Sequence, residues 1–574
     1  MNAPRRTYEL LPKAPDTLDD ALNGYHPIQR QLLFNRGLND AESIRRFLEP
    51  DFESDLHDPF LLTDMEKAAT RVLRAVHENE HIVIYTDYDC DGIPGGVLLH
   101  DFLTEIGYDN FENYIPHRHD EGYGFNPDAV PAFKERGASL IITVDCGITD
   151  HEAVERANDL GIDVIVTDHH EPAETLPPAY AVVNPKRDDA YPFSGICGTA
   201  VAWKLVGAVL SIGRKDGTIT LKEGMEKWWL DLVGLATVAD MVPLQDESRV
   251  LARYGLSVLR KSRRPGLQQL LRKAGANQRF LTEDDIGFTI APRINAASRM
   301  DDPEDAFHML RTRDEADAGA RVYHLEKLNN ERKGVVGSMV KEAKRRIEEL
   351  IELPQVIVMG NPEWRPSLVG LVANSLSEEF GRPAFLWGRD GKGIIKGSCR
   401  SAGGVSIVRL MELAKDAFIT FGGHHASGGF SVSDERIHTL PEALHAAYAE
   451  HGSDVLVGDV ANAVDAELSL DDIDDRLLRA LDALAPYGVG NPKPLFKIRS
   501  VMPRAVEVFG KTKNHTKLRL ETAHGRIDAI SFFALPDSFT KVPKEGETFD
   551  LIAHVERSYF MGRLETRLRL VDIV

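Results

Sequence analysis

At 574 residues and 43% hydrophobic the chain is too long for one core, which predicts three or four domains. No run of eighteen uncharged apolar residues occurs and the opening MNAPRRTYELLPKAPD has no apolar segment, which argues against a membrane span or secretion, and a cytoplasmic location is expected. A net charge of −21 excludes a protein that coats nucleic acid through bulk positive charge, and four scattered cysteines (Cys90, Cys146, Cys197, Cys399) exclude a disulfide framework and are expected reduced and buried.

In chain order, the first strongly patterned stretch is HIVIYT, followed by a helix through GGVLLHDFLTEIG, the run LIITV, a helix through HEAVERANDLG, and DVIVT. Short β-branched runs alternating with helical periodicity predict a parallel βαβ sheet, whose binding crevice lies beyond the carboxyl ends of the strands. Acids stand at those ends: Asp87, Asp145 and Asp168. Between Arg249 and Arg279 lie nine basic residues and no acid, a pattern that suits a solvated helix face or a phosphate-binding patch equally. From Glu315 to Leu350 apolar residues recur at steps of mostly three and four with no proline. One helix of that length would run about 54 Å and bridge two globular parts. A second, glycine-rich α/β pattern starts at PQVIVMG, and the last hundred residues offer PLFKI, HTKLRLET, RIDAISFFA, TFDLIAHVE and ETRLRLVDIV as strands of a small β-barrel of the OB-fold kind. The expected fold class is therefore α/β, with a parallel-sheet domain joined by a long helix to a second α/β domain, plus a C-terminal OB-fold barrel. The expected division is 1–300, 301–350, 351–455 and 456–574.

The segment DYDCDG sets Asp87, Asp89 and Asp91 at every second position. It is not an EF-hand loop, because the twelfth position falls on Leu98 and a strand, not a helix, precedes it. On an extended chain these carboxylates would lie about 6.6 Å apart and repel by roughly 2–3 kcal/mol per pair, so something positive must compensate. Asp145, the run Asp168-His169-His170 and Asp240 in ATVADMVPL add donors after further strand-like segments. A mixed oxygen and imidazole set this rich in carboxylates suits two divalent cations, manganese or magnesium, better than zinc. Two such ions favour phosphoester hydrolysis by an activated water. GxSxG, GxxxxGK[ST] and a GxGxxG after the first strand are all missing, which leaves covalent-serine and nucleotide-triphosphate mechanisms without support.

With DYDCDG, VDCG, TDHH and ADMVPL in that order, the chain resembles the DHH phosphoesterase superfamily and within it the RecJ exonuclease family. The likeness extends through NRGLNDAESIRRFLEP, YIPHRHDEGYG, IAPRINAASRM, KGSCRS, FGGHHASGGF and LAPYGVGNPKPLF. It implies a 5′-to-3′ exonuclease that degrades single-stranded DNA to 5′-mononucleotides in DNA repair and recombination. Asp87, Asp89, Asp91, Asp145, His169 and Asp240 would hold the metals, with Asp145 between them and His170 at the scissile phosphate. Asp89, Asp145, His169 and His170 would form the catalytic set. Asp168 would orient His169 through its other ring nitrogen. Arg118 and Arg293 match positions that hold DNA phosphates, Ser398 and Arg400 match a 5′-phosphate pocket, and His424 matches a histidine facing the substrate. The chain departs from the family at Ser298, Arg365 and Ser367 and in the HHASGG segment, which bears on the DNA path and substrate range. The resemblance implies a monomer that takes single-stranded DNA as its partner, with a single-strand-binding protein and a helicase as further partners, and no membrane. Competing readings are a DHH-type phosphodiesterase acting on RNA or small oligonucleotides, and a non-catalytic DNA-binding scaffold.

Overall fold

The computed structural model describes residues 7–15, 22–401, 404–423, 425–455, 462–510, 512–523, 525–560 and 563–574. The principal elements begin with α1 (Pro27–Asn35) and α2 (Ala41–Leu48) and then enter a βα series. That series is β1 (His81–Thr86), α3 (Gly92–Glu105), β2 (Phe111–Tyr114), β3 (Ala138–Val144), α4 (His151–Asp159), β4 (Asp163–Thr167), β5 (Ala181–Val183) and α5 (Gly198–Asp216). The five strands pair in the order β2-β1-β3-β4-β5, all parallel. Both faces are covered, as a parallel sheet requires. Ile82 and Ile84 of β1 face the core shared with α3 and α5, while Val83 and Tyr85 face the core shared with α4. The four cysteines are free and buried, as expected.

Helices α6 (Leu230–Ala239), α7 (Asp246–Leu259), α8 (Ala291–Met300) and α9 (Glu304–Arg311) close this part and lead into α10 (Glu315–Glu348). The Asp314 side chain caps α10 by accepting from the amides of Ala316 and Asp317 at 2.8 and 2.7 Å. At 34 residues the helix is about 51 Å long. Val322 and Leu325 belong to the first core, and Met339, Ala343 and Ile347 belong to a different one. The second core is built with β6 (Ile357–Gly360), α11 (Pro366–Phe380) and β7 (Ala384–Arg389). The sheet continues through β8 (Ile395–Arg400), β9 (Thr420–Gly423) and β10 (Ser427–Val432), whose Ile395, Cys399 and Phe430 enter a separate core, and the strand order is β9-β10-β8-β7-β6.

The C-terminal part holds β11 (Ala466–Leu468), α12 (Asp475–Leu484), β12 (Phe496–Val501), β13 (Ala505–Phe509), β14 (His515–Thr522), β15 (Gly525–Ser531), β16 (Phe549–Phe560) and β17 (Arg563–Ile573). They pair in the order β11-β12-β16-β17-β15-β14-β13. The five expected strands are all present, and β11 and β13 add to them. Leu32, Leu33, Ile44 and Leu48 of α1 and α2 bury themselves with Leu477, Phe496, Leu551 and Leu568, so the first helices share a core with the last strands.

The arginine-rich stretch divides in two. Arg249 is 2% exposed and donates to the carbonyls of Phe47, Leu484 and Ala485 at 2.6, 3.0 and 3.3 Å. Arg253 bonds the carbonyls of Leu48 and Ala483, Arg260 the carbonyl of Leu281, and Arg264 pairs with Asp101 and Asp231 at 2.8 and 3.0 Å. Arg249, Arg253 and Arg264 are structural fasteners rather than a solvated face or phosphate ligands, while Arg260, although bonded to the Leu281 carbonyl, stays exposed along with Lys261, Arg263, Arg272, Lys273 and Arg279. No helix among the described residues is long and apolar enough to cross a membrane.

Candidate metal centre at the sheet rim

The parallel register brings the acids together. Thr86, Val144 and Thr167 end their strands level with one another. The ladder then continues one step into the loops: Asp87 N donates to Val144 O at 3.1 Å, Asp145 N to Thr167 O at 2.9 Å, and Asp168 N to Val183 O at 3.1 Å. Three aspartates are thereby fixed on adjacent strands, whose spacing is about 4.8 Å. The remaining members of the triplet do not continue the strand. From Asp87 the chain turns into α3, so the alternating spacing of an extended segment does not apply. Asp89 Oδ1 accepts from the amides of Asp91 and Gly92 at 2.7 and 3.3 Å. A side chain at Gly92 would place its Cβ 2.4 Å from the Asp87 carbonyl oxygen, so the turn admits only glycine there.

Asp91 folds back onto the start of α5, where its carboxylate accepts from Gly198 N at 2.7 Å and Thr199 N at 2.8 Å, a favourable place for an anion. Gly198 also makes room for Asp145, since a Cβ there would lie 2.7 Å from that of Asp145. Asp240 arrives from the end of α6, not from a strand as expected.

Three overlapping groups of donors result, one of them Asp145, His169 and His170. Ligand atoms of Asp87, Asp89 and Asp145 lie within 4.8 Å of one another, as do those of Asp91, His169 and Asp240. Asp145 reaches both, with its Oδ1 3.2 Å from His169 Nε2, which is itself 3.6 Å from Asp91 Oδ2 and Asp240 Oδ2. Asp87 Oδ1, Asp145 Oδ1 and His169 Nε2 are buried without a well-formed hydrogen bond. Burial, followed by repulsion from neighbouring aspartates, holds Asp87, Asp145 and Asp240 well above the usual carboxylate range. Burial carries His169 down to about 4 against the pull of Asp91, which keeps it a neutral imidazole with a lone pair to offer. Orphaned oxygens beside a neutral imidazole fit a pair of hard-to-borderline cations.

Asp168 was expected on the ring of His169 and lies instead on its neighbour. Its Oδ1 accepts from His170 Nδ1 at 2.8 Å and from the amides of His169 and His170, and its Oδ2 accepts from Ile148 N at 3.0 Å. Burial lowers the His170 pKa, but the Asp168 bond outweighs it and pushes the group up to about 9. Tyr123 completes the contact with its hydroxyl 3.2 Å from the same nitrogen.

A basic wall adjoins the acids. Arg118 lies over the Tyr88 ring at 4.7 Å. Arg293 is already held by Glu326 of α10 at 2.6 Å. Ser398 and Arg400 point to the same side of β8, against Gly370 of α11. His424 lies outside the described residues. Arg365 is exposed, whereas Ser367 is buried and exchanges hydrogen bonds with Arg299, its Oγ donating to Arg299 O at 3.0 Å and its carbonyl accepting from Arg299 Nη1 at 2.8 Å. Ser298 is buried and its hydroxyl has no partner.

Sequence reasoning missed Arg299, which burial together with the charges of Arg118 and Arg332 brings down to about 9. It also passed over Tyr123 within DEGYG, and Asn295, whose Oδ1 accepts from Cys90 N at 2.8 Å and ties α8 to the acidic turn. Tyr123 and Arg299 stand inside motifs that carried the resemblance, so position within a motif was the available signal.

Comparison with known proteins agrees with this architecture. Residues 81–237 match the DHH family N-terminal domain, 353–450 the DHHA1 domain and 464–572 the RecJ OB domain. The single-stranded-DNA-specific exonuclease RecJ of Bacillus subtilis is 36% identical over 512 residues, covering 88% of this chain and 63% of its own length. The protein of that name from Escherichia coli is 33% identical over 526 residues, covering 88% of this chain and 89% of its own. Crystal structures of Thermus thermophilus RecJ are known with manganese and with magnesium. The manganese complex superposes with a TM-score of 0.81 at 27% identity, covering 99% of this chain and 80% of that one. The chain thus belongs to the RecJ family of DHH-domain proteins.

Proposed function

We propose that this chain is an exonuclease that degrades single-stranded DNA from its 5′ end to 5′-mononucleotides. The observation that carries the reading is the convergence of buried, hydrogen-bond-deficient donors from Asp87, Asp145 and His169 on one rim, beside a basic wall. Asp87, Asp89 and Asp145 would hold one divalent cation, and Asp91, His169 and Asp240 a second, with Asp145 within reach of both. Manganese or magnesium bound there lowers the pKa of a coordinated water and offsets charge growing on the phosphate.

The chain's own groups supply the rest. Asp168 keeps a proton on His170 Nδ1 and fixes that ring, with Tyr123 against it, so that the imidazolium can face a phosphate oxygen. Arg118, Arg299 and Arg400 offer planar forks for phosphate, and Ser398 adds a hydroxyl. Arg293 could join them only by giving up Glu326. The OB part would guide the strand inward. A division at about residues 300, 350 and 455, a monomeric state, a cytoplasmic place in DNA repair and recombination, and encounters with a single-strand-binding protein and a helicase complete the proposal.

Purified protein given manganese and 5′-labelled single-stranded DNA should release labelled mononucleotides from the first turnovers. Early release from a 3′ label alone would overturn the polarity, and equal rates on RNA of the same sequence would favour the broader phosphodiesterase reading. Asp89→Ala should remain folded with turnover reduced at least a thousandfold.

A further inference from the structure

The edge strand β2 borders a cleft of about 560 Å³ that has no part in the rim chemistry. It is formed by the last turns of α3, the start of β2 and α9. Phe111 pairs with Ile82 near the beginning of β1, whereas the acids follow Thr86 at its other end. His100, on its wall, lies nine residues beyond Asp91 along α3, or about 13 Å.

One cation in this cleft has no anion. Arg311 forms no ion pair among the described residues, and its Nε is buried without a hydrogen-bond partner. Its Nη1 lies 3.2 Å from His100 Nε2, while His100 Nδ1 lies 2.7 Å from Asn113 Oδ1. A carboxamide oxygen only accepts, so His100 carries its proton on Nδ1 and turns a lone pair toward Arg311. The imidazole orients the guanidinium without neutralising it. His308 Nδ1 is a second buried nitrogen without a partner on the same wall.

The other walls are aromatic and acidic. Tyr108 and Phe111 stand nearly parallel, 6.4 Å between centroids, and Phe307 closes the far side. Of the carboxylates lining the cleft, Glu112 is held by Arg136 at 2.9 Å, and burial raises the pKa of Glu304. Glu304 Oε2 lies 3.9 Å from His308 Nε2, and Asp109 forms no ion pair among the described residues, so Asp109 is the free acceptor for hydroxyl groups and Glu304 one shared with that imidazole. An uncompensated guanidinium, an aromatic wall and hydroxyl acceptors in a cleft of this size match a ligand with a phosphate, a flat ring and a sugar.

We propose that this cleft binds a nucleoside monophosphate, with the phosphate on Arg311 and His308, the ribose hydroxyls on Asp109 and Glu304, and the base against Tyr108 and Phe111. The site stands on its own donors and does not depend on the proposed reaction at the rim.

The test is calorimetric titration of adenosine 5′-monophosphate into the full-length, manganese-loaded protein. Asp89→Ala protein should bind it as the parent does, because the rim is not involved. Arg311→Gln should weaken binding at least tenfold and His308→Gln several-fold, with unchanged melting temperatures. Should Arg311→Gln melt early, Arg311→Lys, which keeps the charge and removes the fork, should show the same loss on a folded protein. Adenosine and inorganic phosphate should each bind at least tenfold more weakly than the monophosphate. Undiminished binding by folded Arg311 and His308 variants, loss of binding in Asp89→Ala, or phosphate binding as tightly as the nucleotide would overturn the assignment.

Discussion

A buried carboxylate that faces other carboxylates is a liability in the metal-free protein, and Asp145 is the sharpest case. It lies among Asp87, Asp89, Asp91 and Asp240, its Oδ1 has no well-formed hydrogen bond, and its backbone sits at φ 64°. At a separation near 5 Å each like-charge pair costs about 3 kcal/mol at an effective dielectric of about 20. Asp145→Asn keeps the shape and removes the charge. In chelator it should therefore raise the melting temperature by an amount equivalent to roughly 1–3 kcal/mol, while the stabilisation conferred by manganese on the parent should largely vanish and turnover should fall at least a thousandfold. A lower melting temperature in chelator would contradict this electrostatic account. Ser298 is a smaller instance of the same physics, a hydroxyl buried without a partner beside Arg299. Ser298→Ala should stabilise by about 1 kcal/mol, read by urea unfolding, because it removes an unsatisfied group. No change, or destabilisation, would mean that the hydroxyl is bonded in solution.

The elements themselves were largely legible from sequence. β1, β3, β4, α4 and the long α10 fall where their periodicity put them, because strands buried on both faces read as continuous β-branched runs and a 34-residue helix repeats its pattern many times. The three rim aspartates were legible for the same reason, each standing directly after a strand. Asp240 was misread as a strand end because ATVA is short and apolar in either conformation, and only packing of α6 decides it. The partner of Asp168 was misassigned because His169 and His170 are adjacent, and a turn, not a residue type, selects which ring faces the carboxylate.

The arginine-rich stretch was the least legible element, since charge in a sequence does not reveal that a guanidinium can be neutralised by backbone carbonyls. Arg249 binds four such groups from two distant segments, Phe47 and the Leu484–Pro486 turn. Arg249→Leu should take the guanidinium from the Phe47 and Ala485 carbonyls, while Leu484 O and Pro486 O keep Asn491 Nδ2, at a cost of roughly 3 kcal/mol. It should appear as an earlier calorimetric transition for the C-terminal part alone. Arg249→Lys should recover less than half, because one ammonium cannot span the same acceptors. Full recovery with lysine would show that charge alone matters.

At the scale of the molecule, chain order and spatial order differ. The two ends of the sequence build one core, in which Leu33, Ile44 and Leu48 pack with Leu477, Phe496 and Leu568, while the DHH sheet lies between them in sequence. Arg36 strengthens the union, donating to Asn491 Oδ1 at 2.7 Å and to the carbonyls of Leu32 and Pro492. Burial of one Leu or Ile side chain is worth roughly 1.5–3 kcal/mol, so losing the three from the first helices removes about 4.5–9 kcal/mol, comparable with the net stability of about 5–15 kcal/mol typical of a domain. A chain beginning at Pro59 should therefore retain the parallel sheet and α10, but its C-terminal strands should lose their separate cooperative transition and bind a hydrophobic dye. Supplying a peptide that spans residues 7–57 should restore the transition and suppress dye binding, because the missing helices complete an existing surface. A truncated chain whose C-terminal strands melt as in the parent would mean that the barrel carries its own core and that α1 and α2 only lie upon it.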